Sequence, residues 1–305
     1  MRFFYLFLFT ALFCAAPSQL SAKVKIVTTT EDLAALAKEV GGDFAEVSSI
    51  ARGYQDPHFV EAKPSYLLKL KKARLFIQAG LELETAWAPA LLTNARNPGI
   101  LPGRPGFMDA SDGCAILQKP QGGVDRSMGD VHPLGNPHYW LNPENGRTIA
   151  RAVARRLSVI DPDNAGGYKA NLGAFEARLS EKEKEWDALA GELKGIKVIT
   201  YHNSWPSFAK RFGIEVVDFI EPKPGIPPSA AHVHFLTGRI RAEGVRLLLV
   251  EPYFDLKLPK KIAAQTETTL VVFPPSVGAE ESIKTYLDLF DRQLKLLKNS
   301  LGKGK

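Results

Sequence analysis

Six histidines occur in the 305-residue chain, and three of them stand where loops meet regular elements. His58 lies in "ARGYQDPHFVEAKPS", His138 in "GNPHYWLNPENG" and His202 in "VITYHNSW". Two follow a turn-making proline, and each has an aromatic neighbour. A single loop imidazole can be a hydrogen-bonding surface residue, a catalytic base or a metal ligand. Three in such company point to joint ligation. Neutral imidazoles bind zinc at about 2.0–2.1 Å, and zinc usually takes one further ligand to complete a tetrahedron. Manganese favours more oxygen, so three histidines weigh against it.

To share an ion, residues 58, 138 and 202 must be brought together by the elements around them. Val24, Ile26 and Val27 read as a buried strand, Thr30 as an N-cap, and Leu33, Leu36, Ala37 and Val40 as the apolar stripe of a helix. "GGD" breaks that helix and "FAEVSSIA" reads as a second strand. A helix over about 64–72 leads into the strand "RLFIQAG", and a further helix spans about 83–92. Residues 98–137 are rich in Gly and Pro and read as exposed loops with the composition of mobile chain. Tyr168, Leu172, Phe175, Leu179, Trp186, Leu189 and Leu193 then mark one face of a helix about 25 residues long, or roughly 38 Å. After it, "KVIT", "IEVVDFI", "RLLLV" and "TLVVF" read as strands. Helices start between them near Ser204, Ser229 and Leu256, and a terminal helix spans about 279–299.

This alternation predicts an α/β protein with parallel sheets. Two α/β lobes, 23–160 and 195–305, are joined by one long helix within 161–194, and the cleft between them is the expected metal site. Ligands of open α/β sheets bind beyond the carboxyl ends of strands, where His58 and His202 both fall.

Glu251 ends the apolar strand "RLLLVE", with Pro252 stopping it, so its carboxylate is the candidate fourth ligand. A hydrogen bond to a ligand histidine is the alternative role, and water or His132 are other ways to fill the position. His132, in "GDVHPLG", reads as a loop residue or as an auxiliary group that captures metal. Asp255 reads as a helix cap. His232 and His234 are two apart on a helix, face different ways and read as structural or surface residues.

The chain begins with Met1, Arg2 and the apolar run "FFYLFLFTALFCAA", followed by small residues to Ala22. That pattern is a cleavable export signal over 1–22, and Phe13 before Cys14 argues against a lipidated cysteine. Removing it leaves Cys114 as the sole cysteine, which excludes an intramolecular disulfide and a cysteine-based zinc site. At 45% hydrophobic and 24% charged over all 305 residues, the chain can bury a large core. The net charge of +6 is dispersed, which argues against nucleic acid or membrane partners. No later segment is long and apolar enough to span a bilayer.

With these residues assembled, the chain resembles the periplasmic solute-binding proteins of zinc and manganese ABC transporters (the metal-binding, cluster A-I type). The resemblance covers nearly all of the mature chain. It rests on "DPHFVEAKPS", "NPHYWLNPEN", "YHNSW" and "LLVEPYFD". It implies two lobes joined by a rigid long helix, with metal held between them. It also implies a monomer outside the cytoplasm that captures Zn²⁺ as cargo, with Mn²⁺ second, and passes it to an ABC-transporter permease without catalysis. Two departures stand out. The acidic, histidine-rich loop of many zinc-specific members is reduced here to His132, Asp125 and Asp130. The late segment that usually supplies a carboxylate ligand reads "VVFPPSVG", and Pro274 and Pro275 cannot bind metal. Alternatives are a manganese- or iron-binding homologue, a secreted zinc hydrolase and a surface adhesin. A hydrolase could use an open zinc position, with Glu61 as the nearest base. However, no His-Glu-x-x-His helix or Ser/His/Asp set is present, and nothing marks an adhesive face.

Overall fold

The computed structural model describes residues 22–123, 129 and 131–302. The export segment to residue 21, Cys14, Asp125 and Asp130 lie outside the described residues.

Strands β1 (Val24–Thr28), β2 (Ala45–Ser49), β3 (Leu75–Gln78) and β4 (Phe107–Asp109) form an all-parallel sheet in the order β2-β1-β3-β4. Helices α1 (Glu31–Gly41), α2 (Pro64–Lys72), α3 (Ala88–Asn94) and α4 (Pro143–Ile160) belong to this lobe. Thr30 caps α1 as its sequence suggests, its hydroxyl accepting from the Leu33 N–H at 3.4 Å. Leu33, Leu36, Ala37 and Val40 of α1 are wholly buried, so the stripe turns onto the sheet.

Helix α5 (Ala165–Leu193) follows, 29 residues long and therefore about 43 Å. Tyr168, Phe175, Leu179, Trp186 and Leu193 of its apolar face are buried, whereas Leu172 and Leu189 are half-buried at the edge. One end of α5 packs on α1 and α4. The other packs on α6 (Pro206–Phe212) and α9 (Tyr286–Gly302), where the Trp186 indole donates to Asp291 at 2.7 Å. One apolar core runs through both lobes along this helix.

The second sheet repeats the first. Strands β5 (Lys197–Thr200), β6 (Glu215–Phe219), β7 (Leu247–Val250) and β8 (Thr269–Val272) lie parallel in the order β6-β5-β7-β8. Helices α7 (Ala230–Glu243) and α8 (Lys257–Thr266) cover it. All four residues of β7 are buried, as expected for an inner parallel strand. In each sheet the strand order reverses beside the first strand, and such switch points open a crevice at the carboxyl ends.

Three expectations are corrected. The helix expected from about 83 begins only at Ala88; residues 81–87 form turns instead, entered through left-handed φ values of 53° at Leu81 and 67° at Glu82. Strand β4 lies inside the stretch read as loop, since three residues are too few to show a period. The terminal helix begins at Tyr286, where a Thr285/Asp288 capping box stops it: Asp288 N–H donates to Thr285 Oγ1 at 3.1 Å, and Thr285 N–H donates to Asp288 Oδ2 at 2.8 Å.

The lobes also touch directly. Asp32, at the start of α1, accepts from Ser276 Oγ at 2.5 Å and from the Val277 N–H at 3.0 Å. Gly53 lies against the same segment, and a Cβ there would fall 1.9 Å from the Val277 carbonyl oxygen. Only glycine permits that approach.

Candidate metal centre

Three loops deliver the three histidines. His58 follows β2, His138 opens a short 3-10 turn (Tyr139–Leu141) ahead of α4, and His202 lies two residues past β5. All three are buried, and one ligand atom from each lies within 4.8 Å of the other two. Their ring centroids are 5.3 to 5.5 Å apart. The first lobe supplies two of the imidazoles and the second supplies one.

Each ring is oriented by an oxygen on its Nδ1 side. Asp56 Oδ1 lies 2.7 Å from His58 Nδ1 and also accepts from the His58 backbone N–H at 2.9 Å. Asn136 Oδ1 repeats this at His138, 3.2 Å from Nδ1 and 3.0 Å from the backbone nitrogen. The shared sequence Asx-Pro-His thus builds the same Asx turn twice, with the side chain two residues upstream locking the ring. Glu221, beyond the neighbouring strand β6, holds His202 Nδ1 at 2.7 Å. An acceptor at Nδ1 keeps the hydrogen there and leaves a lone pair at Nε2, the arrangement that suits a metal ligand.

His138 Nε2 is buried and has no hydrogen-bond partner among the described residues. Burial, reinforced by the imidazoles of His58, His202 and His132, pulls the His138 pKa well below the ordinary histidine value. The ring is therefore neutral with its lone pair exposed to the centre. At Asp56 burial pushes upward, but the hydrogen bond and charge of His58 outweigh it and the pKa falls.

Glu251 does not join this group. It sits just past β7, beside β5, as its sequence position suggests. Its Oε1, however, accepts from Ser204 Oγ at 2.6 Å and from the Trp205 indole at 3.0 Å. Burial raises its pKa to about 8 despite those bonds, so the carboxyl carries a proton at neutral pH. The residues that open α6 have drawn this side chain toward themselves.

His132 arrives unexpectedly close. Its Nδ1 lies 3.0 Å from the Leu81 carbonyl oxygen and its Nε2 lies 3.3 Å from His58 Nε2. Other expectations resolve more simply. Asp255 accepts from the Lys257 N–H at 2.8 Å, at the first residue of α8. His232 bonds the Phe219 carbonyl at 3.0 Å, whereas His234 and Glu61 are exposed. In place of a late carboxylate ligand, the "PPSVG" segment offers Ser276 to Asp32.

Asp56, Asn136 and Glu221 were not singled out from the sequence. The two Asx residues had a signal, since each stands two before a candidate histidine. Glu221 had none, because its pairing with His202 depends on the placing of β6 beside β5.

Two parallel-sheet lobes bridged by a long helix, with an imidazole cluster between them, define a two-lobed solute-binding protein of the metal-transport type. The family model of the zinc-uptake complex component A, periplasmic, matches residues 26–300, and the chain belongs to this family of metal ABC-transporter substrate-binding proteins. The manganese ABC transporter substrate-binding lipoprotein PsaA of Streptococcus pneumoniae is 28% identical over 93% of this chain and 90% of its own. The high-affinity zinc uptake system protein ZnuA of Brucella abortus (strain 2308) is 32% identical over 54% of this chain and 48% of its own. A crystal structure of ZnuA superposes with a TM-score of 0.75 at 26% identity, covering 90% of this chain and 98% of that one. Among the described residues no helix is long and apolar enough to cross a membrane.

Proposed function

We propose that the protein captures Zn²⁺ outside the cytoplasm and delivers it to the membrane permease of an ABC transporter. It works as a monomer in the periplasm after loss of the export segment, and its task is binding and release with no chemical step. His58, His138 and His202 are the ligands. The observation that carries this reading is the bonding of all three Nδ1 atoms to oxygen, which turns three Nε2 lone pairs toward one point. Nitrogen donors favour zinc, whereas manganese prefers oxygen. Glu251 takes a supporting role, holding Ser204 and Trp205 at the start of α6 just behind His202.

Manganese is the competing cargo, because a relative matching nearly the whole chain is named for it. Competition calorimetry on the mature protein separates the two. One zinc per chain, bound at least tenfold more tightly than manganese, supports the proposal. Equal or tighter manganese binding rejects it, and so does undiminished zinc affinity after His58, His138 and His202 are all changed to alanine.

A further inference from the structure

We propose that His132 is the fourth zinc ligand, closing a four-imidazole site and setting its preference for zinc. The inference rests on the zinc-binding reading above and adds a residue to it.

The Leu81 carbonyl can only accept, so the contact at His132 Nδ1 requires a hydrogen on that nitrogen. In the neutral ring, Nε2 then carries the lone pair. His58 is in the same position, with the Asp56 carboxylate at its Nδ1. With both rings neutral, two lone pairs face each other across 3.3 Å, a repulsive arrangement unless a metal ion or a proton lies between them. Two nitrogens each bound at 2.0–2.1 Å to one tetrahedral ion stand about 3.3–3.4 Å apart. The observed separation matches one edge of a zinc tetrahedron. His132 lies outside the trio whose ligand atoms fall within 4.8 Å of one another, and would close on His138 and His202 as the ion binds.

The placement of His132 is built into the chain. The segment His132-Pro133-Leu134-Gly135 is a β-turn, with the Gly135 N–H donating to the His132 carbonyl at 3.1 Å. Proline in the second position and glycine in the fourth suit a type I turn. Gly135 has φ +110°, and a Cβ there would lie 2.5 Å from Ile116 Cγ2. The next N–H, of Asn136, bonds the Leu117 carbonyl at 2.9 Å. The turn is therefore pinned on the side of Asn136, the residue that orients His138. One short segment thus presents two imidazoles. No carboxylate belongs to the ligand group among the described residues, so a fourth nitrogen would leave no protein oxygen for manganese.

X-ray absorption spectroscopy at the zinc edge counts the imidazoles bound to zinc in the wild-type protein and in His132→Ala. The expected result is four in the wild type, falling to three plus one oxygen in the variant. Zinc affinity should fall at least tenfold while manganese affinity changes less than threefold. His132→Gln, which keeps most of the side-chain volume, should behave like the alanine variant and guards against a packing effect. Three imidazoles plus oxygen in the wild type would overturn the inference, since the His132–His58 contact would then be held by a proton. Unchanged zinc affinity in both variants would overturn it as well. If the variant lacking His58, His138 and His202 loses zinc while the His132 variants do not, only the fourth ligand fails. If that triple variant binds zinc normally, the underlying reading fails.

Discussion

Asp56 Oδ1 touches His58 twice, 2.9 Å from its backbone nitrogen and 2.7 Å from its ring Nδ1. One carboxylate oxygen therefore fixes both the path of the loop and the rotation of the ring it carries. Removing such an oxygen from behind a metal-bound histidine costs roughly 10–100-fold in affinity. Asp56→Ala is expected to weaken zinc binding by that factor with an unchanged far-ultraviolet circular dichroism spectrum. Asp56→Asn keeps an acceptor and should lose less. Equal zinc affinity in Asp56→Ala and wild type, measured by chelator competition, would show that the ring needs no such support.

A buried imidazole with its pKa pulled down stays neutral where an exposed one would charge. Burial lowers His138 strongly and brings His132 to about 4. In the metal-free protein, neither ring should titrate between pH 6 and 8. Nitrogen-15 shifts of the labelled histidine rings, followed against pH, check this. A midpoint near 6.5 for His138 would mean that its ring meets water in the absence of metal.

Three buried carboxyls carry the opposite consequence. Burial raises Asp32 and Glu84 to about 7 and Glu251 to about 8. A carboxyl raised on folding contributes stability that is fully present below its unfolded pKa and is lost as pH rises through the folded value. The metal-free protein should therefore melt at lower temperature at pH 8.5 than at pH 6.5. Glu251→Gln, which copies the protonated acid, should flatten the part of that slope near pH 8. A melting temperature that rises over this range would contradict the assignment.

Gly53 and Val277 limit how far the lobes can be changed. An added methyl at residue 53 meets the Val277 carbonyl, so Gly53→Ala must shift one backbone against the other. His58 lies five residues on and depends on that loop. The substitution is expected to lower both the melting temperature and zinc affinity, the latter at least tenfold. Calorimetry and thermal melts showing no change in either would mean that the interface yields without disturbing the site.

Much of the architecture could be read from local pattern. The stripe of α1, the long face of α5 and the β7 run are periodic, and periodicity survives without knowledge of partners. The three histidines were legible from their settings, His202 just past a strand end, His138 at a helical turn, and His58 in an Asp-Pro-His loop between β2 and α2. What escaped was set by distant contacts. Nothing in "VVDFIEP" says that Glu221 will meet His202, because that depends on β6 pairing beside β5. Glu251 was placed at the correct sheet edge. Its direction, however, follows Ser204 and Trp205, which a strand pattern cannot foresee. His132 looked like part of an exposed connector because Gly and Pro usually mark one. Here they make the turn that brings its ring inward.

Anomalous diffraction from crystals of the zinc-loaded protein, recorded on both sides of the zinc absorption edge, locates the bound ion without ambiguity. One dominant peak per chain is expected in the cleft, about 2.0–2.1 Å from Nε2 of His58, His138 and His202. A dominant peak elsewhere, or one bound through fewer than all three of these imidazoles, would contradict it.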